Sequence, residues 1–299
     1  MHPTKLPSTK QLRYFVALAE HGHFGRAAEA SFVSQSAFSN AIRELETLLD
    51  AQLVDRTNRN VTITALGQQV AVQARLCLQD VQALVELADG QHKPLTGELR
   101  LGVIPTIAPF ILPKVLPRLR RAYPKLKLFL IEGQSQRIVE RMMDGELDVL
   151  LLALPWPMRG IDELPLFKDR FCLAYRNGTE RVDPESYRFS RLNADSVLLL
   201  EDGHCLRDHA LAACKIKNTQ KLRSFAASSL LTLVEMVDAD LGISFLPEMA
   251  AGSALLKNTR VKLKPLEETS YRTIGLAWRK GSRRVEEFEL LGRFFSDNR

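Results

Sequence analysis

Long hydrophobic runs are missing from this chain of 299 residues. A bilayer-spanning helix needs about 18 consecutive apolar residues, and runs such as Val149–Leu154 end well short of that. The opening stretch MHPTKLPSTKQLRYF has no apolar segment of the signal-peptide kind, so no secretory signal and no membrane association are expected. Cysteine is scarce, with four residues, which excludes a disulfide scaffold and points to a reducing, cytoplasmic setting. Cys77, Cys172 and Cys205 lack the short Cys/His spacings of a zinc site, so no metal is expected. No Gly-x-Gly-x-x-Gly or Walker sequence occurs, so no nucleotide cofactor is expected. Charge of one sign is not concentrated at the start. The net charge is +6, but in residues 1–64 Lys5, Lys10, Arg13, Arg26, Arg43, Arg56 and Arg59 face Glu20, Glu29, Glu44, Glu46, Asp50 and Asp55, leaving +1. The basic stretch Lys114, Arg118, Arg120, Arg121, Lys125 and Lys127 reads as a solvated helix face.

What is present is an ordinary globular balance, 45% hydrophobic and 25% charged, in a length that suits about two domains. The clearest boundary is Gly90–Gly97, where Gly and Pro interrupt helical patterning. Beyond it, apolar runs at Glu98–Ile104, Leu126–Ile131, Asp148–Leu154, Phe171–Tyr175, Ser196–Leu200, Gly242–Leu246 and Thr273–Trp278 alternate with helical stretches such as Gln134–Asp144 and Ser229–Asp240. That alternation predicts an α/β domain of parallel βαβ units, with a site near strand ends and helix N-termini.

The N-terminal part has a different logic. An alanine-rich helix, Arg26–Ala30, leads through Ser31–Val33 into a second helix from Ser34. Phe38, Ala41, Ile42, Leu45 and Leu49 form its buried face, and Gln35, Ser36, Ser39, Asn40 and Arg43 its polar face. Short donors near a helix N-terminus suit the edges of bases in a major groove, and Ser34 can cap while leaving amides for a phosphate. The following Leu53–Thr64 predicts a hairpin wing that carries Arg56 and Arg59 to DNA. Then Val70, Ala74, Cys77, Val81, Leu84 and Ala88 repeat at alternating steps of four and three, the pattern of a seam that pairs two helices. A dimer would present two reading helices to two half-sites.

Residues Leu200–Cys214 read LEDGHCLRDHALAAC. Asp202-Gly203 predicts a turn and Leu206 onward a helix, placing Cys205 at a helix N-terminus beside His204 and Arg207. Such a setting favours thiolate, so Cys205 is expected to be acidic and reactive, with Asp208 opposing. Cys214 lies nine positions on, roughly 13 Å along an intact helix, beyond the ~7 Å that a disulfide tolerates. Spacing alone leaves two readings open: a covalent switch that requires the helix to unwind, or two unrelated thiols. Cys172, in an apolar run, reads as core.

Several motifs carry a resemblance. Phe24, Ala27-Ala28, Val33-Ser34-Gln35, Ile42, Leu45-Glu46 and Arg56 are similar to the winged helix-turn-helix signature of LysR-type transcriptional regulators. Asp50, Leu53-Val54-Asp55-Arg56 and Thr64-Ala65-Leu66-Gly67 depart mildly from it. The segment around Gly203-His204-Cys205-Leu206, its spacing to Cys214, and Ile104-Pro105-Thr106, Ile111-Leu112-Pro113, Leu246-Pro247 and Arg272-Thr273-Ile274-Gly275-Leu276 resemble the hydrogen-peroxide-sensing OxyR subfamily. The resemblance implies a winged helix-turn-helix at 1–64, a dimerising linker helix at 65–90 and a hinge at 91–97. It also implies a two-lobed, periplasmic-binding-protein-like α/β regulatory domain, with lobe one at 98–168 and 273–299 and lobe two at 169–272. It makes Cys205 the peroxidatic and Cys214 the resolving thiol of a reversible disulfide. Thr106, Ser135, His204, Arg207, Asp208 and Arg272 line a peroxide pocket, with Ser135 standing where Thr is usual. Ser34, Gln35, Ser36, Ser39, Asn40, Arg43, Arg56 and Arg59 face DNA. The implied partners are double-stranded promoter DNA, hydrogen peroxide, RNA polymerase, three further copies in a tetramer and a thiol reductant such as glutaredoxin. Two rivals remain: a LysR-type regulator answering a small metabolite between the lobes, and a thiol peroxidase, which the winged helix argues against.

Overall fold

The structure, a computed structural model, describes residues 6–56, 61–88, 94–185, 197–213, 226–266 and 269–299. The chain divides into two compact units, one of Met1–His92 together with Asp144–Glu146 and one of Lys93–Met143 with Leu147–Arg299. Among the described residues no helix is long and apolar enough to cross a membrane.

The first unit begins with α1 (Thr9–His21), a helix the sequence reading passed over. Ser8 and Gln11 close a reciprocal capping box at its start. Next comes α2 (Phe24–Ala30), capped by the His23 ring, which accepts from the Gly25 and Arg26 amides. Then α3 (Gln35–Leu49) is capped by Ser34, whose Oγ accepts from the Ala37 amide at 3.3 Å. Phe38, Ile42 and Leu45 are buried, and the Tyr14 and Phe38 rings stack at 5.0 Å. Leu49 departs from the expected buried face; it is 37% exposed at the helix's last turn, where the core has ended. The predicted wing is an antiparallel pair, β1 (Val54–Arg56) and β2 (Val61–Ile63). The Glu46 carboxylate ties it to α3 by accepting from the Leu53 and Val54 amides at 2.9 and 3.1 Å. The long helix α4 (Ala65–Ala88) follows. Its Gly67 is required: a Cβ there would lie 2.2 Å from the Leu53 carbonyl oxygen. Along the proposed seam Ala74 is buried, Val70 half-buried, and Cys77, Val81 and Leu84 exposed.

The second unit is built on a mixed sheet. Its elements are β3 (Gly97–Val103), α5 (Ala108–Ala122), β4 (Leu126–Glu132), α6 (Ser135–Met143), β5 (Val149–Leu154), β6 (Ile161–Arg176), β7 (Leu199–Leu200), α7 (Cys205–Ala213), β8 (Ala226–Ala227), α8 (Leu230–Asp238), β9 (Ser244–Pro247), β10 (Val261–Pro265), β11 (Tyr271–Arg279) and α9 (Val285–Asn298). The main sheet runs β10-β6-β11-β5-β3-β4, with β9 also on β6.

The expectation of parallel strands holds for β3 with β4 and β5, and for the small β7–β8 pair. It fails for β11, which enters between β5 and β6 antiparallel to both, and for β9 and β10, antiparallel to β6. Strand composition reports burial, not direction: all six residues of β5 are buried whichever way their neighbour runs. Two cores result. One gathers β3, β5, β11, α5, α6 and α9; the other gathers the end of β6 with α7, α8 and β9. The long strand β6 runs through both lobes: its first part pairs with β11 and its last residues with β9 and β10.

Candidate functional site

Two sets of side chains were singled out from the sequence, and each has its own setting. On the first unit, Ser34, Gln35, Ser36, Asn40 and Arg43 are exposed on one face of α3, with Ser39 half-buried. The Ser34 and Ser36 hydroxyls lie 3.1 Å apart at its N-terminus. The first amides of a helix have no intrahelical acceptor, so this end offers donors to an anion. Arg56 ends β1, its backbone paired with Val61. Arg59 lies outside the described residues.

On the second unit, α7 opens at Cys205 just after the Asp202-Gly203 turn. Gly203 adopts left-handed backbone (φ 95), and a Cβ there would press on the Gln134 amide at 3.1 Å. This turn brings Cys205 to the seam of the two cores. The thiol packs in the first core, whereas Leu206 and Ala210 on the same helix pack in the second.

Opposite lies Arg272, fully buried. Its Nε donates to Asp169 Oδ2 at 2.9 Å. Nη1 donates to Thr106 Oγ1 and Nη2 to the Thr106 carbonyl, both at 2.9 Å. Asp169 Oδ1 in turn accepts from the Met249 amide at 3.1 Å. A buried charge of this kind persists only when paired and hydrogen-bonded, and here two strands, the turn before α5 and the short helical turn after β9 hold it.

Burial pushes the Cys205 thiol up from its ordinary value. The Arg272 charge, the Ser135 hydroxyl and the Ala153 backbone pull it down, and Asp208 adds to the rise. The expectation of an acidic thiol is therefore overturned. The helix end and the cation are present, but withdrawal from water outweighs them. Ser135, at the start of α6, has a buried Oγ with no hydrogen bond of ordinary geometry, though it is close enough to influence the thiol. His204 is buried, 3.4 Å from Gln134 Nε2, which also donates to Glu201 at 3.0 Å. Burial lowers the His204 pKa, with Glu201 and the Ser228 backbone opposing.

Thr106, Ser135, His204, Cys205 and Arg272 are thus all buried around one seam. Arg207 and Asp208 are not gathered in the same way. Arg207 pairs with Asp202 of the turn, and Asp208 is exposed, reaching the thiol only through its charge. Cys214 lies outside the described residues. Cys172 is buried in β6, as its apolar run indicated.

Sequence reasoning missed Asp169, Met249, Gln134 and His209. Asp169 stands directly opposite Arg272 in the β6–β11 register, and that register is invisible until the antiparallel pairing is known. His209, one helical turn beyond Cys205, has a buried Nδ1 without a partner and a pKa lowered by burial and by Arg272. Among the described residues no His, Cys, Asp and Glu cluster is placed to hold a metal.

Comparisons agree with this architecture. Residues 9–68 match the family described as bacterial regulatory helix-turn-helix protein, lysR family, and residues 92–298 match the LysR substrate binding domain. The chain is 44% identical to the HTH-type transcriptional regulator EstR of Acinetobacter baylyi, over 96% of this chain and 95% of that protein. It is 38% identical to the DNA-binding transcriptional dual regulator OxyR of Escherichia coli, over 94% and 92%. Among solved structures, a full-length OxyR variant from Pseudomonas aeruginosa superimposes with a TM-score of 0.81 at 30% identity, covering 97% of this chain and 95% of that one. A Corynebacterium glutamicum OxyR mutant with hydrogen peroxide bound gives 0.65 at 32%, over 98% and 94%. These relatives are regulators, not enzymes. The chain belongs to the LysR family of transcriptional regulators, with a helix-turn-helix unit followed by a two-lobed α/β regulatory unit of OxyR type.

Proposed function

We propose that this regulator senses hydrogen peroxide through Cys205 and binds promoter DNA accordingly. The observation that carries the reading is the placement of Cys205: a thiol at a helix N-terminus, enclosed between two lobes, with the buried Arg272 charge and the Ser135 hydroxyl turned on it. In the reaction the thiolate sulfur attacks one peroxide oxygen and the O–O bond breaks. The other oxygen leaves as hydroxide and takes up a proton, giving Cys205 sulfenic acid and water. Arg272 stabilises the thiolate and the departing hydroxide, while Thr106, held on Arg272, and Ser135 orient the peroxide. The Cys214 thiol then displaces water from the sulfenic acid and a Cys205–Cys214 disulfide forms. Because α7 begins at Cys205 and continues at least to Ala213, that bond requires α7 to unwind and the seam to repack.

In this reading residues 1–64, with Ser34, Gln35, Ser36, Ser39, Asn40, Arg43, Arg56 and Arg59, hold DNA. The helix over 65–90 pairs subunits through Val81 and Leu84. The lobes at 98–168 with 273–299 and at 169–272 carry the switch, and a tetramer couples it to RNA polymerase. A cytoplasmic thiol reductant such as glutaredoxin resets it.

The test is peroxide treatment followed by non-reducing peptide mapping and by footprinting on the gene's own upstream DNA. A Cys205–Cys214 crosslink and an altered footprint are expected. Cys205→Ser abolishes both, and Cys214→Ser leaves a Cys205 sulfenic acid that dimedone traps. Absence of the crosslink in the unmodified protein refutes the mechanism. A footprint that still answers a small metabolite after Cys205→Ser points to the rival effector class.

A further inference from the structure

Three helix ends in the first unit turn through left-handed backbone: Gly22 after α1 (φ 59), Phe32 after α2 (φ 56) and Asp50 after α3 (φ 48). That region suits glycine, and Asn or Asp next, whereas a bulky side chain there is strained. The first and third ends obey the rule and the middle one breaks it. Phe32 occupies the glycine position of a Schellman ending. Its amide donates to the Glu29 carbonyl at 3.0 Å and the Val33 amide to the Ala28 carbonyl at 3.1 Å.

Packing does not account for the phenylalanine. Its side chain is 94% exposed, whereas Phe15, Leu18, Phe38, Ile42 and Leu45 of the surrounding helices are wholly buried. Its polar neighbours in sequence are Ser31, the C-cap of α2, and Ser34, Gln35 and Ser36 at the N-terminus of α3, the helix end that a helix-turn-helix sets against base edges. The two turn hydrogen bonds fix the backbone, so the ring projects from a rigid platform two residues ahead of the Ser34 cap.

We propose that Phe32 reads DNA directly, its ring packing on the 5-methyl group of a thymine in the major groove at the edge of each half-site. Contact with the thymine methyl is the one base-edge interaction open to a purely apolar side chain. It carries no charge, so it adds sequence choice without adding to the salt-dependent attraction of phosphates. This inference rests on the helix-turn-helix family alone and is indifferent to what the regulatory unit senses.

The test uses the full-length protein and a duplex selected by it from a random library. Phe32→Asn, which suits left-handed backbone, is expected to melt at or above the temperature of the unmodified protein. It should bind the selected duplex about tenfold more weakly, with the same slope of affinity against salt. Replacing thymines one at a time by deoxyuridine removes only the methyl. The unmodified protein should lose affinity at one thymine per half-site, and Phe32→Asn should show no penalty there. Unchanged affinity in Phe32→Asn, or equal deoxyuridine penalties in both proteins, overturns the proposal. Phe32→Ala serves as the second variant, with melting temperature reporting its folding.

Discussion

Cys172 and Cys205 are both free, buried thiols of the regulatory unit, and both are harder to ionise than a thiol in water. Their neighbours differ. Cys172 lies within β6, opposite Leu246 on one side and Pro265 on the other, locked in a ladder. Burial pushes its pKa up to about 12, the Glu248 and Asp169 carboxylates push the same way, and only Arg170 opposes. Cys205 begins a helix at a seam, and Arg272, Ser135 and the Ala153 backbone all work against its burial. One ion pair divides the two thiols: its Asp169 end suppresses Cys172, and its Arg272 end favours ionisation of Cys205. Burial raises both thiols; the sign of the strongest charge acting on each separates Cys172 from the thiol proposed to react with peroxide.

The sharpest way to break that contrast is to remove the cation. Arg272→Gln should slow sulfenic acid formation at Cys205 by about 100-fold, the scale of losing one preorganised group that stabilises developing charge. It also leaves Asp169 buried without its partner, which destabilises by roughly 3–5 kcal/mol. The double variant Asp169→Asn, Arg272→Gln removes both charges and should recover most of the stability but none of the rate. Dimedone labelling measures the rate and thermal melting the stability. A double variant that reacts like the unmodified protein would show that Arg272 is structural only.

A smaller effect separates the thiols by pH. The Cys205 pKa is raised, so at neutral pH the thiolate is a minor species whose share grows about tenfold per pH unit. Labelling of Cys205 at fixed peroxide should climb about tenfold between about pH 7 and 8. A plateau reached by pH 7 would mean an acidic thiol and would restore the expectation drawn from the sequence.

That expectation shows where the sequence was legible. Local patterns carried far: Ser34 caps α3, Val54–Arg56 pairs with Val61–Ile63 in the predicted wing, and Cys205 opens α7 after the Asp202-Gly203 turn. Each depends on residues close in the chain. The thiol's ionisation depends on residues remote from it, and there the reading failed. Arg207, two positions on, pairs with Asp202 instead, while Arg272, 67 positions away, supplies the charge. The Arg272–Asp169 contact needs the antiparallel β6–β11 register, and an apolar strand does not reveal its direction. Gly275 marks how tight that junction is, since a Cβ there would lie 2.5 Å from the Leu164 carbonyl oxygen. The helix α1, with mixed polar and apolar residues, also went unread, although its Ser8 and Gln11 capping box was in plain view.

The least effect is expected at Cys172, and it is the control on which the contrast stands. Cys172→Ala removes one buried sulfur from a strand with neighbours on both sides, at a stability loss of about 1 kcal/mol. The rate of Cys205 labelling should stay within about twofold, because no seam residue loses a partner. Alkaline conditions add a second reading. The folded Cys172 pKa is raised from 9.0 to about 12, so its protonated form contributes stability that is fully present below about pH 9. That contribution is lost as pH rises toward the folded value, because only the unfolded chain ionises in that window. Melting curves of Cys172→Ala should therefore draw level with the unmodified protein between about pH 9 and 11. Dimedone adducts appearing on Cys172, or a slower Cys205 in the alanine variant, would mean that the ladder does not isolate the strand thiol and that the two sulfurs are coupled.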